Sequence, residues 1–103
     1  MTYYFRAGRS KNIVIDGEES FLGLGYAILR AYHIDCDHCF MFTFENGEET
    51  NSGTPFGAMD DYRDVNIEMR IAGRHMRVGE TMKMEYDYAG DWSRKVTLVE
   101  INP

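Results

Sequence analysis

Met82-Lys-Met-Glu-Tyr-Asp-Tyr-Ala-Gly-Asp-Trp92-Ser-Arg-Lys-Val-Thr-Leu-Val-Glu-Ile101 contains two strand-like runs joined by a short turn. In the first run, Met and Tyr at every second position alternate with Lys, Glu and Asp, which is typical of a half-buried strand. Ala89-Gly90-Asp91 supplies the turn, because Gly tolerates a positive φ and Asp can bond to its own backbone. The stretch therefore predicts a β-hairpin, and we infer the rest of the fold outward from it.

The N-terminal third of the chain predicts a second hairpin followed by a helix. Residues 3–7 alternate like a strand, residues 8–11 are typical of a turn, and residues 13–15 form a β-branched run that completes the pair. Ser20 is placed to cap a helix over residues 21–33, in which apolar side chains recur every three or four positions.

The middle of the chain adds further strands. Residues 40–45 predict an aromatic core strand, Asn46-Gly47 a type I′ turn, residues 48–62 a long loop, and residues 65–71 another strand. The order strand, strand, helix, strand, loop, strand, strand, strand predicts an α+β fold. We expect a mainly antiparallel sheet of five to six strands with one principal helix packed on one face, in two layers.

Length and charge set the broad class of the protein. The chain of 103 residues is expected to form a single domain, 1–103. Its net charge of −6 disfavours duplex nucleic acid as a partner, because affinity for duplexes comes largely from cationic contacts to phosphate. No apolar run approaches the roughly 20 residues that span a bilayer, and no secretory signal is recognisable. We therefore expect a cytoplasmic protein without a membrane partner.

Metal-capable side chains are densest between the predicted helix and the aromatic strand, where they comprise His33, Asp35, Cys36, Asp37, His38 and Cys39. A Cys-x-x-Cys pair can chelate zinc or cycle between thiol and disulfide. Structural zinc needs four ligands, so Cys36 and Cys39 would need His33 and His38 to complete the set. A redox pair normally precedes a helix, whereas this one follows a helix. We therefore predict no cofactor, and zinc on these four residues is the alternative.

The turn of the opening hairpin contains the second candidate site. Asp87 and Asp91 lie beside tyrosines and an indole, and paired carboxylates serve acid–base catalysis when burial drives their pKa values apart. The alternative is that both carboxylates organise the turn while the rings fill the edge of the core. The candidate ligand-binding residues are His38, Asp87, Tyr88, Asp91 and Trp92. Of these, His38, Asp87, Asp91 and Trp92 are expected to converge at one end of the sheet.

Tyr86-Asp-Tyr-Ala-Gly-Asp-Trp92 resembles the Tyr-Asp-Phe-Gly-Asp-Asp-Trp hairpin of the Ri-plasmid open-reading-frame-three-like family (plasmid ORF-3-like), also described as an insertion-element passenger, TnpR-like. Residues 20–31 are similar to the first helix of that family, and Asp35-Cys-Asp37-His38 to its step into an aromatic strand. Ala89 and Gly90 differ from the family's Gly and Asp. The resemblance implies a compact α+β fold without an established activity and a mobile-element association by gene context.

These observations support three hypotheses of function. The first is a non-enzymatic binding or interaction protein whose partner is a small molecule or another protein. The alternative is a small metal-dependent or acid/base enzyme that uses His38 with Asp87 or Asp91. The third is an accessory protein of a mobile element. A homodimer is expected to pair exposed edge strands, whose backbone groups are otherwise unbonded.

Overall fold

The computed structural model describes residues 1–36, 38–53, 64–86 and 92–103. Within these ranges the chain forms seven strands, one α-helix and one 3₁₀ turn. In chain order these elements are β1 (Thr2–Ala7), β2 (Lys11–Asp16), α1 (Phe21–Ala31), β3 (Phe40–Phe44), β4 (Glu49–Asn51), β5 (Asp64–Val65), the 3₁₀ turn (Ala72–Arg74), β6 (Thr81–Tyr86) and β7 (Trp92–Asn102). None of the helical segments in the described ranges is long and apolar enough to cross a membrane.

The strands form one sheet with the order β2-β1-β7-β6-β3-β4-β5. Six of the strands pair antiparallel, and the two-residue β5 adds to β4 in parallel at one edge. The structure confirms the predicted α+β fold with a mainly antiparallel sheet and one principal helix. It has more strands than the five to six expected, since β4 lies in the segment 48–62 that was predicted as a loop.

The segment predicted as a strand over residues 65–71 largely runs beside the start of α1. Only Val65 belongs to a strand with more than one residue, and Arg70 forms an isolated bridge with Ser20. The carbonyl of Ile67 accepts a hydrogen bond from the N–H of Leu22. The alternating apolar residues of this segment therefore cover the helix N-terminus, which explains a strand-like pattern outside the sheet.

Both predicted hairpins are present. β1 and β2 pair from Ala7 opposite Lys11, and β6 and β7 pair from Tyr86 opposite Trp92. β7 also pairs with β1, so it joins the two hairpins into one sheet.

The helix begins and ends through specific local contacts. The hydroxyl of Ser20 accepts a hydrogen bond of 3.1 Å from the N–H of Gly23, which confirms the predicted N-cap. At the other end His33 has a φ of 58°, and the N–H of Ile34 donates to the carbonyl of Leu29. This pair of features is a Schellman ending, so α1 stops two residues before the predicted position 33.

The core lies between α1 and the face of the sheet that it covers. Phe21 of the helix packs edge-on against Phe42 and Phe44 of β3, with ring centroids 6.0 and 5.3 Å apart. Burial of such a side chain contributes about 1.5–3 kcal/mol to stability. Gly25 lies against the ring of Phe40, and a Cβ at this position would overlap that ring. The helix therefore approaches the sheet closely at one point.

Candidate functional site

Two of the five predicted ligand-binding residues lie in the described ranges, and both contact Tyr86. The ring of His38 is 5.9 Å from that of Tyr86, and the ring of Trp92 is 6.4 Å from it on the adjacent strand. Asp87, Tyr88 and Asp91 lie outside the described residues. The convergence of His38 and Trp92 with Asp87 and Asp91 therefore stays a prediction.

The contact between Trp92 and Tyr86 is part of an aromatic row that continues to the end of α1. Tyr32 packs edge-on against Trp92 at 5.4 Å, so the row runs Tyr32, Trp92, Tyr86, His38. The hydroxyl of Tyr32 donates to the carbonyl of Ala7 at 2.7 Å, and the hydroxyl of Tyr86 donates to the carbonyl of Asp35. Tyr86 is buried, Tyr32 and Trp92 are partly buried, and His38 is exposed. Ring contacts with bonded tyrosine hydroxyls are typical of packing, and this row attaches the helix C-terminus to the sheet.

The residues proposed as zinc ligands are dispersed over the corner after α1. Cys36 is exposed, Cys39 is partly buried, and both thiols are free. His33 serves as the left-handed residue of the helix ending, and His38 lies against Tyr86. Among the described residues, no group of three or more His, Cys, Asp or Glu side chains is close enough to hold a metal ion.

The structure shows a pocket that the sequence reasoning did not identify. It has a volume of about 820 Å³ and lies where the β1–β2 turn, the start of β7 and the end of α1 meet. Its walls consist of cations, hydroxyl groups and one aromatic ring, contributed by Arg6, Gly8, Arg9, Ser10, Tyr32, Ser93, Arg94, Lys95 and Thr97. We call it the basic pocket.

The β1–β2 turn is held in place by Gly8. Its φ is +68°, and its N–H donates to the carbonyl of Lys95 at 2.8 Å, so the turn is bonded to β7. A Cβ on Gly8 would overlap the hydroxyl of Tyr32. Only glycine allows both the left-handed backbone and this close approach.

Arg94 is held in place by two rings of the aromatic row. Its guanidinium carbon is 5.1 Å from the ring centroid of Tyr32 and 4.7 Å from that of Trp92, and its Nη1 donates to the carbonyl of Ser93 at 2.7 Å. Lys11 also places its ammonium 5.6 Å from the ring centroid of Tyr32. The rings thus orient cations at the pocket by attraction to their π faces.

Among the residues that the structure describes, the cations of the basic pocket have no carboxylate partner. In the part of the chain that the structure describes, none of Arg6, Arg9, Arg94 and Lys95 forms an ion pair, and no Asp or Glu lines the pocket. Elsewhere Arg70 pairs with an exposed glutamate at 3.1 Å. In a chain with a net charge of −6, four cations around one pocket form a local positive field.

A second pocket, of about 530 Å³ near the β3–β4 turn, is lined by arginine and glutamate side chains together. Arg74 lies 4.0 Å from the ring centroid of Phe44 and forms an ion pair of 2.5 Å with Glu48. Hydrogen bonds from the backbone N–H and then the hydroxyl of Thr81 lower the pKa of Glu45. The amide of Asn46 and then Arg74 lower the pKa of Glu48. These contacts join the β3–β4 hairpin to β6, which is a structural role.

The sequence contained a weak signal for the basic pocket. Arg6, Arg9 and Lys11 cluster around the first turn, and Arg94-Lys95 follows the only tryptophan. The two groups come together because β7 pairs with β1, with Arg6 directly opposite Thr97. The pairing of these distant strands was the missing information.

Comparisons with protein-family models, with curated proteins and with solved structures found no match. The resemblance of residues 86–92 to the plasmid ORF-3-like family therefore stays a prediction, and most of that stretch lies outside the described residues.

Proposed function

We propose that this chain is a non-enzymatic binding domain that holds a phosphate-bearing small molecule in the basic pocket. The observation that carries the proposal is the collection of four cations without carboxylate partners, among the described residues, around one pocket of an acidic chain. Like charges held close together repel, and a bound anion relieves that repulsion.

The donors of the pocket suit an oxyanion. Arg6 and Arg9 each present a planar guanidinium that can bond two oxygens at once, and Lys95 adds an ammonium. Ser10 in the β1–β2 turn and Ser93 in β7 add hydroxyl donors. This set of charged and neutral donors is the kind that binds phosphate with charge-assisted hydrogen bonds.

The composition of the pocket supports binding rather than catalysis. Its lining contains no His, Cys, Asp or Glu in the described residues, so it lacks the usual general bases for chemistry near neutral pH. The alternative enzyme, with His38 acting beside Asp87 or Asp91, would use a different site.

We also propose that the protein is cytoplasmic and associated with a mobile element. The free thiols of Cys36 and Cys39 suit a reducing compartment, which supports the cytoplasm as the location. A mobile-element association is supported by the sequence resemblance of residues 86–92.

Isothermal titration calorimetry of the chain with inorganic pyrophosphate tests the proposal. We expect binding to the wild-type chain and a decrease in affinity for Arg9→Ala of roughly tenfold to a hundredfold, since a hydrogen bond to a charged group contributes about 1.5–3 kcal/mol. Arg70→Ala is the matched control, because Arg70 is equally a surface arginine but pairs with Glu18 away from the pocket. Absence of pyrophosphate binding, or equal losses in the two variants, would overturn the proposal.

A further inference from the structure

A further lysine lies beside the basic pocket on the face of the sheet away from α1. Lys83 of β6 is directly opposite Lys95 of β7, and Lys95 lines the pocket. Lys83 lies between the buried Met82 and Met84, and Lys95 precedes the buried Val96, so both lysines alternate with core residues. The side chain of Lys83 is 59% exposed. Two lysines therefore lie beside each other on the outer face of the sheet.

A third cation of this face lies on β1. Arg6 is exposed, lines the pocket and pairs with Thr97, which follows Lys95 by two residues on the same side of β7. Cross-strand neighbours that are offset by two residues are about 7–8 Å apart. Because β7 lies between β1 and β6, Arg6, Lys95 and Lys83 form a row that spans two strand spacings, roughly 10 Å. We call these three residues the cationic row.

Carboxylates mark the end of the cationic row. Lys83 forms an exposed ion pair of 2.8 Å with Glu85, which lies two residues later on the same face of β6. Exposed ion pairs contribute little to stability, so Lys83 can exchange Glu85 for a more highly charged anion. Beyond Lys83, the residue directly opposite is Thr43 of β3, and Thr43 is in turn opposite Glu49 of β4. An anion bound along the row should therefore end near Lys83.

We propose that the ligand of the basic pocket carries a linear chain of at least three phosphates, which extends along the cationic row to Lys83. This inference rests on the proposed function and names the class of ligand. Like charges directly opposite each other on neighbouring strands are destabilising, and an anion that reaches both Lys95 and Lys83 removes their repulsion.

The charge and the volume of the site suit a triphosphate. The four cations of the pocket, Lys83 and Glu85 sum to +4. A triphosphate carries roughly four negative charges at neutral pH, because its terminal phosphate is close to doubly ionised. The pocket volume of about 820 Å³ also lies in the range of about 300–1,000 Å³ that is common for ligands larger than a diphosphate.

Isothermal titration calorimetry with pyrophosphate and with inorganic tripolyphosphate, at one ionic strength, tests the extension to Lys83. We expect the wild-type chain to bind tripolyphosphate about tenfold more tightly than pyrophosphate, because only the longer chain reaches Lys83. Lys83→Gln should abolish this difference and leave the affinity for pyrophosphate within about twofold of the wild type. Arg70→Gln is the matched control and should preserve the difference, since it also removes an exposed cation from an exposed ion pair, with Glu18.

The extension and the basic pocket can fail separately. If pyrophosphate binds but tripolyphosphate binds no more tightly, or if Lys83→Gln keeps the difference, the extension is wrong and the pocket stands. If neither compound binds, both proposals are overturned.

Two further titrations sharpen the result. Glu85→Gln frees Lys83 from its ion pair and should raise the affinity for tripolyphosphate, and an unchanged affinity would contradict the role of Lys83. Adenosine triphosphate distinguishes two sources of the phosphate chain. An affinity above that for tripolyphosphate assigns a nucleoside triphosphate as the ligand, and an equal or lower affinity assigns an inorganic chain.

Discussion

At the scale of single residues, Gly8 is the point at which backbone conformation and packing meet. Three glycines in the described residues have a positive φ, namely Gly8, Gly47 and Gly79, but only Gly8 has a side chain in the space that a Cβ would occupy. That side chain is Tyr32, whose hydroxyl is bonded to the preceding residue, Ala7. The β1–β2 turn and the end of α1 therefore pack closely because residue 8 has no Cβ.

Replacement of glycine by alanine at two of these positions separates the cost of backbone strain from the cost of steric overlap with Tyr32. Gly47→Ala should cost about 1 kcal/mol of unfolding free energy, which is the cost of a left-handed alanine. Gly8→Ala should cost more, by about 1–3 kcal/mol, because Tyr32 must also move. Urea denaturation measures both values. Equal losses would show that the overlap is relieved without cost.

Gly8→Ala and Gly47→Ala should also differ in pyrophosphate binding. Displacement of Tyr32 removes one wall of the basic pocket, so Gly8→Ala should also bind pyrophosphate more weakly, whereas Gly47→Ala should bind like the wild type. Calorimetry at a temperature where both variants are folded distinguishes the two results. An unchanged affinity in Gly8→Ala would show that the wall formed by Tyr32 does not contribute to binding.

At the scale of elements, α1 contains two glycines with different roles. The sequence alone predicts that Gly23 and Gly25 both weaken the helix by about 1 kcal/mol relative to alanine. The structure separates them, since a Cβ on Gly23 would meet only ordinary contacts, the nearest at 3.4 Å to the carboxylate of Glu19. A Cβ on Gly25 would overlap the ring of Phe40 in β3.

Substitutions within this helix should therefore have opposite signs. Gly23→Ala should stabilise the fold by up to about 1 kcal/mol through helix propensity. Gly25→Ala should destabilise it by about 1–3 kcal/mol, because the helix must move away from the sheet. Thermal and urea unfolding of the two variants check the prediction. A stabilised Gly25→Ala variant would mean that the ring of Phe40 can rotate away freely.

The contact between the β3–β4 hairpin and β6 has a pH dependence with a defined direction. The N–H and hydroxyl of Thr81 donate to Glu45 at 2.7 and 3.1 Å and lower its pKa from the ordinary value of 4.5. A carboxylate with a lowered pKa in the folded state stabilises the fold above its unfolded value, and the contribution is lost as pH falls through the folded value. Stability should therefore decrease below about pH 4.5, and Glu45→Gln should reduce this part of the decrease. Thr81→Val, which keeps the N–H donor, should reduce it only in part; urea titrations from pH 7 to 3 measure the three curves.

The elements also show which parts of the fold the sequence can predict. The hairpins, the N-cap at Ser20 and the helix face were predictable because each depends on residues a few positions apart. β4 was not, because Glu49, Thr50 and Asn51 are polar and two of them belong to types that are depleted in strands. It forms because the preceding turn returns the chain beside β3, and this pairing outweighs the weak propensity.

At the scale of the whole molecule, an acidic chain carries one locally positive region. The four cations of the basic pocket contribute +4 to a net charge of −6, so the rest of the chain carries −10. The candidate residues of the sequence analysis lie in the corner after α1 and in the β6–β7 hairpin, whereas the basic pocket draws its cations from both ends of the chain. Composition alone reports only the sum, and a sum of −6 conceals a positive site.

This arrangement predicts two different salt dependences for pyrophosphate binding. Lys95 lies at the pocket, whereas Glu68 follows Ile67 beside the start of α1, roughly 15 Å away along a helix that rises 1.5 Å per residue. The Debye length is about 30 Å at 0.01 M salt and about 8 Å at 0.15 M, so salt screens the distant carboxylate more than the adjacent ammonium. Glu68→Gln should therefore raise the affinity at low salt and have no effect near 0.15 M, whereas Lys95→Gln should lower it at both. Calorimetric titrations at the two salt concentrations measure this difference. If Glu68→Gln acted as strongly at high salt as at low salt, or if Lys95→Gln had no effect at either, the anion would bind elsewhere on the molecule.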